Sequence, residues 1–131
     1  MSVFTDAERE FLTSAQLGRI ATASAKGLPD VSPVTFGLEG DAIVSGGFDI
    51  TKTVRYGYLQ KNPRAVIVID DLASVDPWSP RGVKVRGSAT LEDAAGGKRI
   101  RIVPEVIWSW GINTDADKRF LGIERREVTT S

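Results

Sequence analysis

Residues 65–69, Ala-Val-Ile-Val-Ile, form an unbroken apolar run closed by Asp70-Asp71, and four of the five side chains are β-branched. Branching at Cβ stiffens χ1 and suits a pleated surface better than a helix. A run this short, ended by acids, is predicted to be a strand buried on both faces. Such a strand needs neighbours, and the chain supplies them in short pieces. Arg19 to Ala25 alternates small and polar residues and turns at Lys26-Gly27-Leu28-Pro29. A second strand is predicted over Asp30 to Leu38, at an edge or with a bulge because of Pro33. Glu39-Gly40-Asp41 then leads into a third, Ala42 to Ser45. Val83 to Thr90 alternates cleanly, and Ala94-Ala95-Gly96-Gly97 turns it back into Arg99 to Val103. Pro104 ends that ladder or forces a bulge, with Ile107 to Trp110 as its continuation.

Helical spacing occurs twice. Thr5-Asp6-Ala7-Glu8 has the form of a capping box, followed by Phe11, Leu12 and Ala15 on one face and Gly18 as the stop. Thr51 to Lys61 places Val54, Tyr58 and Leu59 together and ends at Asn62-Pro63, since the residue before proline avoids the helical region. Ser74 to Gly82, with Pro77 and Pro80, is expected to be irregular, and the polar tail after Asn113 to be short helix or loop. About six strands with glycine-rich turns predict a mainly β architecture, an antiparallel barrel with short helices at its ends. At 131 residues the expectation is one domain spanning 1–131.

Composition narrows the chemistry. The sequence has no cysteine and no histidine. That removes disulfides, thiolate nucleophiles, Ser-His and Cys-His dyads and the commonest zinc ligands. Difficult chemistry in such a chain is expected to belong to a bound cofactor. Seventeen basic residues balance seventeen acidic ones, so nothing in the net charge points to nucleic acid or to an anionic membrane. The N-terminus lacks a charged-then-apolar signal pattern and no apolar run approaches the length of a membrane span, so the expected location is cytoplasmic.

Four features can carry a ligand. Thr51-Lys52-Thr53-Val54-Arg55 opens the second helix, where free amides, hydroxyls and cations suit a phosphate; a solvated, capped helix end explains the same residues. Lys84 and Arg86 are expected to face Arg99 and Arg101 across a hairpin, as a solvated basic face or as the contact for a polyanionic ligand tail. Trp78 lies between two prolines, suited to covering a pocket or a subunit contact, whereas Trp108 and Trp110 share one side of a strand. They suit core or dimer packing as well as a flat cofactor ring. Small residues in Arg19-Ile20-Ala21-Thr22 and Val31-Ser32-Pro33-Val34-Thr35 would let a flat ring approach the backbone.

In this order these motifs resemble a known family. They are Leu17 to Thr22 (LGRIAT), Gly27 to Val34, Thr51 to Ala65 with its NPRA, Val75 to Gly87 (VDPWSPRGVKVRG), and Ile102 to Gly111 with its SWG. Together they look like the pyridoxamine 5'-phosphate oxidase-like, FMN-binding split β-barrel family, and within it the coenzyme F-420-dependent (deazaflavin) oxidoreductases. The resemblance implies a Greek-key split barrel acting as a homodimer, with cofactor in the grooves between subunits. It implies phosphate held by Lys52, Thr53 and Arg55, and a ring lying near Arg19, Ala21, Thr22, Pro33 and Val34. Trp78, Arg86 or Trp110 of the second subunit would close the groove. Thr53-Val54-Arg55 stands where Thr-Lys-Lys is more usual, which leaves a heavier share to Arg55. The implied activity is hydride transfer between F-420 and a small conjugated substrate, with a proton from solvent, Tyr56, Tyr58 or a basic side chain. FMN is the alternative cofactor, and a non-catalytic flavin or deazaflavin carrier the alternative role.

Overall fold

The computed structural model describes residues 2–47, 49–112 and 123–128. The order is α1 (Asp6–Ser14), β1 (Leu17–Ala23), β2 (Pro29–Thr35), β3 (Gly37–Glu39), β4 (Ala42–Ser45), a 3-10 turn (Ile50–Lys52) and α2 (Val54–Lys61). Four long or late strands follow: β5 (Arg64–Ser74), β6 (Ser79–Ala94), β7 (Gly97–Trp110) and β8 (Glu124–Glu127). All pairings are antiparallel, in the order β2-β1-β5-β6-β7-β4-β3, with β8 also on β7. This is an antiparallel split β-barrel with two short α-helices.

The split lies along β7. Its inner half, Ile100–Ile102, pairs with β4, while its outer half pairs with β8 from Val106 to Ser109. Between them the register with β6 jumps: Gly87 sits opposite Pro104 but Arg86 opposite Val106, so Glu105 is the extra residue of a bulge. Of the two outcomes open at Pro104, the bulge is the one found. Gly87 is required there, because a Cβ on it would stand 1.9 Å from the Val103 carbonyl oxygen. At the far seam no ladder joins β2 to β4; the Ser45 hydroxyl donates to the Thr35 carbonyl instead, at 2.7 Å.

Several sequence expectations change. The single strand over Asp30 to Leu38 is two, broken at Phe36, because β2 belongs to one end of the sheet and β3 to the other. Ser79–Gly82 is regular strand within β6, so the irregular stretch shrinks to the turn at 75–78. Gly18 is not a helix stop but a strand residue packed under Ile69; α1 ends at Ala15. The tail expectation falls largely outside the described residues, and where the chain is described again it forms β8, neither helix nor loop. The run 65–69 is buried on one face only: Ala65, Ile67 and Ile69 enter the core, whereas Val66 and Val68 remain half-buried outside.

The core joins these inward strand residues to Ile20, Val83, Val85, Ile100, Ile102 and Ile107, with Phe11 and Leu12 of α1 and Leu59 of α2 as plugs. The Thr5–Glu8 capping box forms as expected. Glu8, however, is buried, with 1% of its surface exposed, and Arg126 of β8 donates to it at 2.9 Å and to the Val3 carbonyl oxygen at 2.5 Å. Burial alone would raise the Glu8 carboxyl. Hydrogen bonds from Arg126 and the Thr5 amide, the Arg126 charge and Ser109 hold it below its ordinary value of 4.5. This pair clasps the first helix to the last strand.

A carboxyl whose pKa falls on folding stabilises the fold fully above its ordinary value and loses that contribution as pH drops through the lower folded value. Urea midpoints measured downward from pH 6 should therefore fall off below about pH 4.5. Glu8→Gln, which strands the Arg126 charge, should lower stability by about 2 kcal/mol at pH 7 and flatten that acid limb.

Candidate functional site

Alternation along the strands puts one set of side chains on the outer face of the sheet. In register across it, Pro33, Arg19, Val68, Lys84, Trp108 and Arg125 form one row, and Val31, Ala21, Val66, Arg86, Val106 and Glu127 the next. A groove of about 250 Å³ is lined by Ala21, Thr22 and Ala23 of β1, Asn62 after α2, Arg64, Ala65 and Val66 of β5, and Arg86 of β6. Pockets that enclose small ligands usually run from roughly 300 Å³ upward, and this groove is smaller than that.

Beneath β1 lie two polar atoms that the fold leaves unsatisfied. Thr22, 5% exposed, points inward, and its hydroxyl oxygen is buried with no hydrogen-bond partner; the Arg55 Nε is in the same condition. Each such group costs about 1–3 kcal/mol if nothing bonds to it. Both are at the same end of the barrel. Helix α2, which carries Arg55, packs on β1, β2 and β6. Asp30 is the register partner of Thr22 on β2, and its charge reaches Arg55. Burial pushes the Arg55 guanidinium down from its ordinary value, and Asp30 opposes that. A half-buried cation whose Nε–H is idle, at the same end of the barrel as an idle hydroxyl, offers donors of the kind an anionic phosphate takes. The residues present therefore fit the phosphate end of a flavin-type cofactor.

The family model for pyridoxamine 5'-phosphate oxidase matches residues 4–129. The chain belongs to that family. It is 32% identical over 136 aligned positions to a 5a,11a-dehydrotetracycline/5a,11a-dehydrooxytetracycline reductase of Streptomyces rimosus, covering 96% of this chain and 94% of the reductase. Two solved structures share the fold at low identity. A heme binding protein from Mycobacterium smegmatis superposes with a TM-score of 0.68 at 20% identity, over 97% of this chain and 60% of that one. An FAD-binding protein from Mesorhizobium loti gives 0.65 at 17% identity, over 81% of this chain and 93% of that one.

Among the residues singled out from sequence, the structure brings Ala21, Thr22 and Arg86 to one groove, with Arg86 contributed by the same chain as the other two. Arg19 is one row away and bonded to Asp70 at 3.0 Å. Pro33 is its exposed register partner, whereas the Val34 side chain is in the core and leaves only its backbone to meet a ligand. Thr53 caps α2: its hydroxyl donates to the Ile50 carbonyl at 2.5 Å and accepts from the Tyr56 amide at 3.3 Å, so it has little left for a phosphate. Lys52 is exposed on the 3-10 turn. Trp78 is 54% exposed at the tip of the β5–β6 hairpin, away from the groove of its own chain.

Two expectations about basic residues fail. Lys84 and Arg86 do not face Arg99 and Arg101: the register sets them against Trp108 and Val106, and sets Arg99 and Arg101 against Glu92 and Thr90. Nor are Arg99 and Arg101 free. Glu92 accepts from both, at 2.6 and 2.7 Å, and Glu39 bonds to both as well. Their guanidinium groups hold the Glu92 carboxyl down to about 2. Asn62, Arg64 and Val66 were not singled out, although the strict alternation after Pro63 already assigns Arg64 and Val66 to the face opposite Ala65 and Ile67.

Trp110 lies across Gly82 of β6, where a Cβ would stand 2.2 Å from its Cζ2. Gly82→Ala should lift the indole off the sheet at a cost of about 1–3 kcal/mol. The check is tryptophan emission compared between the wild type and the variant, before and during urea unfolding; an unmoved spectrum would mean that the ring is not held by this contact.

Proposed function

We propose that this chain is a cytoplasmic oxidoreductase, one split-barrel domain acting as a homodimer, that moves a hydride between coenzyme F-420 and a small conjugated substrate. Membership of the oxidase family and kinship with a reductase support an oxidoreductase or flavin-binding role. The observation that carries the cofactor reading is the pair of buried, unpartnered groups, Thr22 Oγ1 and Arg55 Nε.

Arg55, with Thr22 at the same end of the barrel, would hold the cofactor phosphate. The outer row of Ala21 and Val66, small and flat, would let a planar ring lie against β1 and β5, with Arg86 at its edge. The cofactor supplies the hydride. With no histidine and no cysteine in the sequence, the chain has no side chain that ordinarily titrates near neutrality. Its task is to hold the reacting carbons roughly 3–3.5 Å apart and to keep water out, while a proton arrives from solvent, Tyr56 or Tyr58.

A second copy would complete the groove. Val31 and Trp78, 66% and 54% exposed, are apolar groups that one chain leaves in water. No helix among the described residues is long and apolar enough to cross a membrane. The preference for F-420 over FMN now rests on Lys84 and Arg86, since Arg99 and Arg101 are neutralised within the fold. Heme, bound by one of the structural neighbours, usually has a histidine or cysteine on its iron, and this sequence has neither.

Fluorescence titration with F-420 and with FMN tests the reading. F-420 should bind tighter than FMN, and Arg55→Ala should weaken it by roughly thirtyfold, the loss of a hydrogen bond to a charged group worth about 2 kcal/mol. Turnover of reduced F-420 with a conjugated enone separates an enzyme from a carrier. Preference for FMN would move the protein to the flavin branch, and binding of neither would end the cofactor reading.

A further inference from the structure

Two charged side chains line the groove, Arg64 and Arg86, and they are held differently. Arg86 has no carboxylate within 4 Å among the described residues, whereas Arg64 donates through Nη2 to Glu105 at 2.7 Å. That pair does not join neighbouring strands. Arg64 is on β5 and Glu105 on β7, about 10 Å apart across β6, and the register partner of Arg64 on the strand between them is the small Ser88. Glu105 is also the extra residue of the β7 bulge, and bulges beside ligand sites re-aim a side chain. Its carbonyl accepts from the Val128 amide at 2.8 Å, which ties its backbone to the residue after β8. A residue outside the groove lining is thus fixed by its backbone and reaches over a strand to occupy a cation of that lining.

A half-exposed ion pair of this kind adds little to stability. Its consequence lies in the charge of the groove. With Glu105 on it, the Arg64 charge is offset, yet the guanidinium keeps N–H donors beyond the Nη2 that Glu105 takes. Those can donate to an uncharged oxygen, while a second carboxylate arriving at Arg64 meets Glu105 as a like charge. The rest of the lining near Arg64 is small and apolar, with Ala21, Ala23 and Val66, which suits a flat conjugated ligand. We propose that Glu105, acting through Arg64, is a specificity-determining residue: it removes the advantage of a carboxylate at the Arg64 end of the groove and leaves that arginine to a neutral conjugated carbonyl, on the cofactor ring or on the substrate. This inference rests on the groove being a ligand site, and deepens that reading.

The test uses two probes of one shape, naphthalene-2-carboxylate and naphthalene-2-carboxamide, titrated by fluorescence into wild type and variants, and reads the ratio of their affinities. Glu105→Gln should raise the affinity for the carboxylate relative to the carboxamide by about fivefold, and Arg64→Gln/Glu105→Gln should return the ratio to its wild-type value. Asp93→Asn removes an exposed carboxylate from the β6–β7 hairpin and should leave the ratio where it was. An unmoved ratio in Glu105→Gln would overturn the proposal. So would a rise that persists in the double variant or that Asp93→Asn reproduces, since the charge would then act at large and not through Arg64. Failure of both probes to bind wild type and Glu105→Gln would overturn it as well. F-420 is titrated beside them. Its binding together with an unmoved ratio keeps the cofactor reading and removes the selector alone, and the expected ratios without F-420 binding do the reverse. Displacement of the carboxamide by F-420 assigns the carbonyl to the cofactor ring, and simultaneous binding assigns it to the substrate.

Discussion

One residue too many in β7 governs the shape of this molecule. Because Glu105 has no register partner on β6, the strand bends there, and its free edge is divided into two segments that face different ways. The inner segment takes β4 and so turns the sheet back toward its other end. The outer takes β8 and so brings Arg126 over Glu8. The bend needs a strand that can approach closely, and Gly87 supplies it: its missing Cβ leaves the space that the Val103 carbonyl occupies. A single insertion thus closes the barrel on one side and anchors both ends of the described chain on the other.

Inside and outside of the sheet follow from that bend with opposite degrees of completion. The inward face is filled, with Ile43, Ile67, Ile69, Val83, Val85, Ile100 and Ile107 fully shielded from solvent. The outward face keeps valines half in water and two cations, Lys84 and Arg86, with no carboxylate within 4 Å among the described residues. Elsewhere on the sheet, basic side chains are matched within the chain; the Glu39 and Glu92 carboxylates hold Arg99 and Arg101 so closely that these arginines can contribute little to any ligand. On the described strands, cations with no carboxylate partner are thereby confined to the neighbourhood of Trp108.

Much of this is legible in the sequence. The capping box, the strand at Ala42–Ser45, the turn near Gly96 and the bulge option at Pro104 all come from local rules that tertiary packing did not override. What escaped was register. The turn between β6 and β7 was placed correctly, and counting outward from it pairs Arg99 with Glu92 directly; the extra residue at Glu105 then shifts every later pair, so that Lys84 meets Trp108. β8 escaped for a different reason. Glu-Arg-Arg-Glu carries no apolar alternation, because an edge strand clasped by ion pairs and cation–π contacts has no need of one. Arg55 was picked out as a cation beside a helix start. That its Nε is buried and idle depends on α2 packing over three strands, which no local pattern encodes.

A hydroxyl and a guanidinium left without partners are the kind of defect that a structural domain removes. Replacing Thr22 by valine would keep the volume and discard the idle oxygen, and an apolar residue at Arg55 would discard a half-buried charge along with its desolvation cost. The same fold elsewhere satisfies even a fully buried carboxylate, Glu8, with Arg126 and the Thr5 amide. Poor packing is therefore not the general condition of this chain. Two unsatisfied groups at one end of the barrel, both able to donate to an anion, stand out against that background as positions whose partner is supplied on binding. The proper comparison for their stability is the ligand-bound protein: an anion bound only by the folded state offsets the cost of both groups together, and removing either should weaken binding while leaving the empty protein as stable or more so.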